Sequence, residues 1–347
     1  MPASPERIAS LQSKIWTGSL PLEIRLAASD CRTYTDSDPY LIQYPRLSYL
    51  AFLLPRLHAF FVPWLITPDV PAHEAWLSFE DVPLKWHYPA GLLFDLYSGA
   101  EPVNIDRRSE KEDASASSQA NVEGAGGSGS IPWRLTIHYT DFPDGQLIPL
   151  DVEEKTMRDT FTNAMKEADF VRNGTARTAM SLSKQDSDSL WQAVRSRPSH
   201  SQTSTHLSGP ADKPPDDRAL FNTINTKLLN PPGLELRHVP LKIYLPTSAS
   251  RTTASETIPE EGKPPAGHIR VVQALIPIQQ SSSRQPQTLG TALNSTLPAI
   301  FPSRRNPLLA QPVLHGAAAP MTANLAELSR AAAYTDGFLH VATVMLG

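Results

Sequence analysis

Three stretches of this chain carry almost no large apolar side chains, and they limit what the rest can fold into: residues 98–130, 196–217 and 246–266. The first runs through Arg107-Arg108 and a Ser/Ala-rich segment to Gly124-Ala-Gly-Gly-Ser-Gly129. The second is mostly Ser, Thr, Pro and Asp, and the third Thr, Ser, Glu and Pro. None can bury enough apolar surface to offset the entropy lost on ordering, so each reads as a disordered insertion. They leave 271 of 347 residues for folded modules. The 33 prolines, about twice the usual share, belong largely in such segments, because proline breaks helix interiors and central strands.

The folded residues divide into a short N-terminal helix (1–14), a first mixed module (15–145), a helix-rich module (146–232) and a second mixed module (233–347). Ser4 is the expected helix cap, Pro5 suits the first helical position, and Ile8, Leu11 and Ile15 form one narrow apolar stripe. In the first module, residues 15–19 and 22–27 flank a Gly18/Pro21 break and read as a hairpin. An amphipathic helix follows at 47–61, then strands at 75–80 and 84–88, a short helix at 91–97 and an alternating strand at 133–139. Helices are expected at 151–172, 185–195 and 217–229. Strands return at 236–244 and 269–277, followed by helices at 288–297, capped by Thr288, and 320–333, and a final strand at 337–346. Each mixed module is thus an α+β plan with one sheet on one helix, the element order of a ubiquitin-like β-grasp.

With 31 basic and 35 acidic residues the net charge is −4, so no global positive field draws in nucleic acid. Cys31 is the only cysteine, which excludes an internal disulfide and multi-cysteine zinc sites. The ten histidines show no H-x-x-x-H spacing, so neither metal nor cofactor is expected; His87 and His138 read as strand residues. The run at 124–129 matches G-x-G-x-x-G, but a spacer precedes it and a strand follows, so it reads as a linker rather than a phosphate loop. No nucleophile elbow appears, and no catalytic residue is expected. The N-terminus lacks a basic region followed by an apolar core, and the apolar stretch 47–66 is broken by charges and prolines; the expectation is a cytoplasmic chain.

On the helix at 151–172, Phe161, Ala164, Met165, Ala168 and Val171 share a face, and Lys166 projects away from it. The run Leu84-Lys-Trp-His-Tyr-Pro-Ala-Gly-Leu-Leu-Phe-Asp-Leu96 resembles the autophagy protein 5 family. Tyr44-Pro-Arg-Leu-Ser-Tyr-Leu50, Met165-Lys-Glu-Ala-Asp169, Val239-Pro-Leu-Lys-Ile-Tyr244, Thr288-Leu-Gly290 and Phe338-Leu-His-Val341 agree with it in order. The resemblance implies two ubiquitin-like domains flanking a helix-rich one. It implies that Lys166 accepts the C-terminal glycine of the ubiquitin-like modifier autophagy protein 12 through an isopeptide bond. It also implies that Ile8, Leu11 and Ile15 help to form a groove for the coiled-coil partner autophagy protein 16. The conjugate would then act as a non-catalytic, ligase-like factor. It would promote lipidation of autophagy protein 8 with phosphatidylethanolamine, peripheral to the preautophagosomal or isolation membrane. Two other readings compete: a scaffold that is never conjugated, and a modifier using Gly347, against which stands the strand expected directly before that glycine.

Overall fold

The computed structural model describes residues 5–34, 37–97, 132–195, 236–247, 268–280 and 283–346. The insertions at 98–130 and 196–217, the helix expected at 217–229, the glycine run 124–129, Ser4 and Gly347 lie outside the described residues.

Helix α1 spans Pro5–Thr17. The first sheet holds β1 (Ser19–Leu26), β2 (Tyr40–Pro45), β3 (Trp76–Phe79), β4 (Val82–Pro83) and β5 (Trp133–His138). Their order is β2-β1-β5-β3-β4, with β1 parallel to β5 from Leu22↔Trp133 to Leu26↔Ile137. Helices α2 (Leu54–Phe61) and α3 (Ala90–Tyr97) complete this domain. The helix-rich part holds α4 (Lys155–Asn173), α5 (Arg177–Met180) and α6 (Lys184–Arg195). A two-stranded ribbon, β6 (His238–Val239) with β9 (Ile276–Pro277), stands apart from the second sheet. That sheet is built from β7 (Leu241–Thr247), β8 (His268–Gln273), β10 (Ala310–Leu314), β11 (Ala317–Ala318) and β12 (Leu339–Met345). Its order, β11-β10-β12-β7-β8, with β7 and β12 parallel, repeats the first. Helices α7 (Leu289–Thr296) and α8 (Leu325–Ala332) belong to it. The fold is α+β, two ubiquitin-like domains flanking a helical bundle region.

Several elements depart from the sequence reading. No hairpin forms at 15–27: α1 runs through Thr17, Gly18 closes it with an N–H to the Ile15 carbonyl (3.3 Å), and β1 is continuous. Pro21 does not break β1 because it lies one residue before β5 begins to pair. The partner of β1 is instead β2, a strand between Pro39 and Pro45 that the sequence reading lacked. The helix expected at 47–61 starts as a 3₁₀ turn at Leu50–Leu53, so α2 itself has only eight residues. The strand expected at 84–88 is two residues early, at Val82–Pro83. Leu84 and Trp86 turn inward as buried plugs, and the indole N–H of Trp86 donates to the Ile148 carbonyl (2.7 Å). The strand expected at 236–244 splits at Pro240, and β10, which contains Pro312, is a further strand. Strand β7 also continues to Thr247, two residues into the third insertion. Thr288 caps α7 as expected: its hydroxyl accepts the Thr291 N–H (3.2 Å), and the Thr291 hydroxyl accepts the Thr288 N–H (2.9 Å).

Two cores result. One joins the first sheet, through Leu22, Ile24 and Ile137, to the bundle residues Phe161, Met165, Trp191 and Val194. The other lies in the second ubiquitin-like domain but takes in Leu47 and Leu92 from the first. At this junction Arg46 pairs with buried Asp95 and donates to the Gly91 carbonyl (3.1 Å). A Cβ on Gly91 would sit 2.7 Å from the Cβ of Arg46, so this close approach needs a glycine.

Candidate functional site

The site expected at Lys166 rests on how α4 is held. Asp151, upstream of the helix, accepts the N–H groups of Lys155 (2.9 Å) and Thr156 (2.7 Å), satisfying two otherwise orphaned donors. The Thr156 hydrogen bonds hold its carboxyl well below the usual carboxylate range. At the other end Gly174, at φ +74°, returns its N–H to the Phe170 carbonyl (2.7 Å). Met157, Phe161, Met165, Ala168 and Val171 are buried on one face.

Polar clamps fix the rotation of α4. The buried carboxylate of Asp169 accepts from Ala179 N–H (2.8 Å) and the Asn173 side chain (2.6 Å). Arg172, buried, reaches into the second ubiquitin-like domain and donates to the Gly337 carbonyl (2.9 Å). Burial lowers its pKa to about 10. The carboxylate of Glu167 pairs with Lys242 (2.9 Å) and accepts from Gln273 (3.2 Å), tying α4 to β7 and β8. Lys166 is the next residue round the helix. It is half-buried, between exposed Asn163 one turn before it and exposed Phe170 one turn after. Among the described residues no carboxylate pairs with it.

Beside this helix a cleft of about 530 Å³ opens where the three modules meet. Its walls include His87 and Tyr88 from the first domain, Asn163 and Glu167 from α4, and Lys242 from the second domain. Burial, with the charges of Lys85 and Lys242, pushes His87 down to about 4, so it is neutral at physiological pH. On the second-domain wall the Tyr244 hydroxyl meets His340 Nδ1 (2.7 Å), and His340 Nε2 meets Asp336 Oδ2 (2.8 Å). Burial raises the carboxyl of Asp336, but His340 and the Phe338 N–H outweigh it and leave the pKa lowered. The chain Tyr–His–Asp ends on a phenol that burial holds well above its ordinary pKa, so it lacks an activated nucleophile. Cys31 does not line this cleft; its thiol lies 3.3 Å from the Thr33 hydroxyl. His138 stacks on Trp76 (3.9 Å) and bonds Ser78 (2.8 Å), a role within the sheet. Among the described residues no group of three or more His, Cys, Asp or Glu could hold a metal ion.

The other expected residues sit on α1, which packs on α8 with Gln12 donating to the Arg330 carbonyl (3.1 Å). Ile15 and Trp16 lie against the second core, Ile8 is half-buried and Leu11 is exposed. The structure therefore groups Ile8, Leu11 and Ile15 on one helix and sets Lys166 on another. The Glu167–Lys242–Gln273 clamp and the Tyr244–His340–Asp336 chain were not anticipated. Interacting members lie up to 106 residues apart, and no local spacing marks them.

Three family models match the chain in order. "Autophagy protein ATG5, UblA domain" matches residues 15–139, "alpha-helical bundle region" of the same protein 154–231, and "UblB domain" 238–343. The chain is 49 % identical over 345 residues to autophagy protein 5 of Phaeosphaeria nodorum, covering 99 % of this chain and 100 % of that one. It is 44 % identical over 354 residues to that of Aspergillus fumigatus, covering 98 % and 96 %. In fold it resembles the crystal structure of Kluyveromyces marxianus Atg5, with a TM-score of 0.64, 20 % identity, and 96 % and 99 % of the two chains covered.

Proposed function

The chain belongs to the autophagy protein 5 family, and we propose that it is the acceptor of the ubiquitin-like modifier autophagy protein 12, joined at Lys166. The observation that carries this reading is an amine with no described carboxylate partner, on a helix clamped to both ubiquitin-like domains. In the transfer, the lysine nitrogen attacks the carbonyl of the modifier's C-terminal glycine thioester on a conjugating enzyme. A C–N bond forms, the C–S bond breaks, and the enzyme's thiolate leaves. The amine proton passes to a base on the enzyme or to solvent. This chain contributes position rather than acid–base chemistry, consistent with a non-catalytic role.

In the same reading α1 offers its Ile8, Leu11 and Ile15 stripe to the coiled-coil partner autophagy protein 16. The exposure of Leu11 supports it, while Ile15 anchors the helix to this chain. The assembled conjugate then promotes transfer of autophagy protein 8 to phosphatidylethanolamine, acting from the cytoplasm as a peripheral factor at the autophagosomal precursor membrane. No described helix is long and apolar enough to cross a membrane. Intact-mass measurement of the protein from its own cells tests the acceptor. A modifier-sized adduct present on the native chain and absent from Lys166→Arg is expected; an adduct of equal abundance on the variant would overturn the assignment.

A further inference from the structure

We propose that the groove where the first ubiquitin-like domain meets the start of α4 is a docking site for a basic amphipathic helix of a partner protein. The groove is about 430 Å³, and it shares only Met157 with the cleft at the three-module junction. Buried Ala51 and Leu54 line it together with Pro55 and Leu150. Val152, 77 % exposed, also lines it. A smaller pocket shares Leu54 and Leu150 and carries the apolar surface on to Ile148, 52 % exposed.

The chain that builds this groove is acidic. Two of its segments, 57–84 and 135–154, carry nine Asp and Glu and no Lys or Arg. Asp151 and Glu154 line the groove itself. Asp69 and Glu74, exposed before and after Pro71 and Ala72, form no described ion pair. Two cations border this surface and are already engaged: Lys155 pairs with Glu153, and Arg195 with Glu154 (3.0 Å).

The walls decide the shape of the occupant. They come from the turns around α2, from the 3₁₀ turn Ala72–Glu74 and from the segment entering α4, so no sheet edge is offered to an added strand. No Phe, Tyr or Trp lines the groove, as a polyproline ligand would require. A helix with a leucine stripe and a lysine face meets both the apolar floor and the acidic surround. The same acids repel an anionic lipid surface and would face each other in a symmetric pair of copies.

The inference does not depend on the acceptor lysine, which stands about 14 Å along α4 from Met157. Its test is fluorescence anisotropy of the full, unconjugated chain with a peptide of about 18 residues that places Leu at i, i+3, i+4 and i+7 and Lys elsewhere. Binding is expected, and it should weaken as salt rises from about 0.1 to 0.5 M. Val152→Lys should bind at least tenfold more weakly. Asp69→Asn with Glu74→Gln should bind more weakly and with a shallower salt dependence, and both variants should keep the parent's thermal midpoint. Leu41→Ser, an exposed leucine on another face of the first domain, should bind like the parent. No binding up to about 1 mM peptide, or undiminished binding by Val152→Lys, would overturn the proposal. Equal binding of a peptide with Glu in place of Lys, or of one with Leu and Lys in strict alternation, would do the same. So would a dimer in sedimentation that Val152→Lys dissolves, which gives the groove to a second copy. Crosslinks from a benzophenone at position 152 to residues 217–229 of the same chain would give it to that segment and equally sink the idea.

Discussion

The two ubiquitin-like domains share a strand order and differ in what their sheets face. In the first, β5 alternates: Trp133, Leu135 and Ile137 are buried, while Arg134 is exposed and Thr136 and His138 are partly so. The outer face of β1 carries Glu23, paired with Arg25 (2.7 Å) and Arg134 (3.4 Å). In the second, every β12 residue from Leu339 to Thr343 is buried, His340 and Thr343 included. Helix α3 of the first domain lies against β12, and Leu92 from that helix enters the second core. One sheet therefore keeps a solvent-facing surface, while the other serves as a platform on which the rest of the molecule is assembled.

The contrast breaks first at the junction. Asp95→Ala leaves the Arg46 guanidinium buried without its partner and should cost about 3–5 kcal/mol, measured by denaturant unfolding. If the loss stays below about 1 kcal/mol, the second domain does not depend on this seam. Leu92→Ala, at a fully buried position, should cost about 2–5 kcal/mol, whereas Leu41→Ser on the open sheet should stay within about 0.5 kcal/mol. Similar losses in the two variants would contradict the difference between the sheets.

Acid sharpens the comparison at the cleft. The folded protein holds His87 at about 4, below its ordinary 6.5, so between these values the unfolded chain binds the extra proton. Stability should therefore fall as pH is lowered from 6.5 to about 4, and His87→Gln should flatten that decline. A second loss should follow below pH 3.8, where protonation of Asp336, whose folded pKa is lowered, uncouples it from His340; Asp336→Asn should remove this limb. Unfolding midpoints across pH 3–7 read both. The smallest effect is expected on α1: Leu11→Ser within about 0.5 kcal/mol, against about 1–3 kcal/mol for Ile15→Ser, which faces the second core. Equal costs would mean that both residues pack on this chain.

What was legible in the sequence follows the same division. Strand β5 could be read because one face is wet, so Trp133-Arg-Leu-Thr-Ile-His138 alternates. Helix α4 could be read because its apolar stripe recurs at helical spacing, and Lys166 was placed on its polar side from that spacing alone. Strands β2 and β10 could not, because Pro39, Pro45 and Pro312 are ordinary breaker signals where pairing in fact supplies the missing order. The clamps around Lys166 were unreadable for a different reason. Glu167, Lys242 and Gln273 meet only after two modules have docked, and side-chain pairs so distant leave no periodic trace.

The parallel pairing of β1 with β5 has a consequence in time. Leu22 meets Trp133, a partner made 111 residues later. At synthesis rates of about 5–20 residues per second, one edge of β1 waits roughly 5–20 s for its neighbour to emerge. During that interval β1 has only β2 beside it, and Leu22 and Ile24 lack part of the core that later covers them. A ribosome-bound nascent chain stalled before residue 133 thus lacks the β5 cover of β1, the kind of transient apolar exposure that invites aggregation.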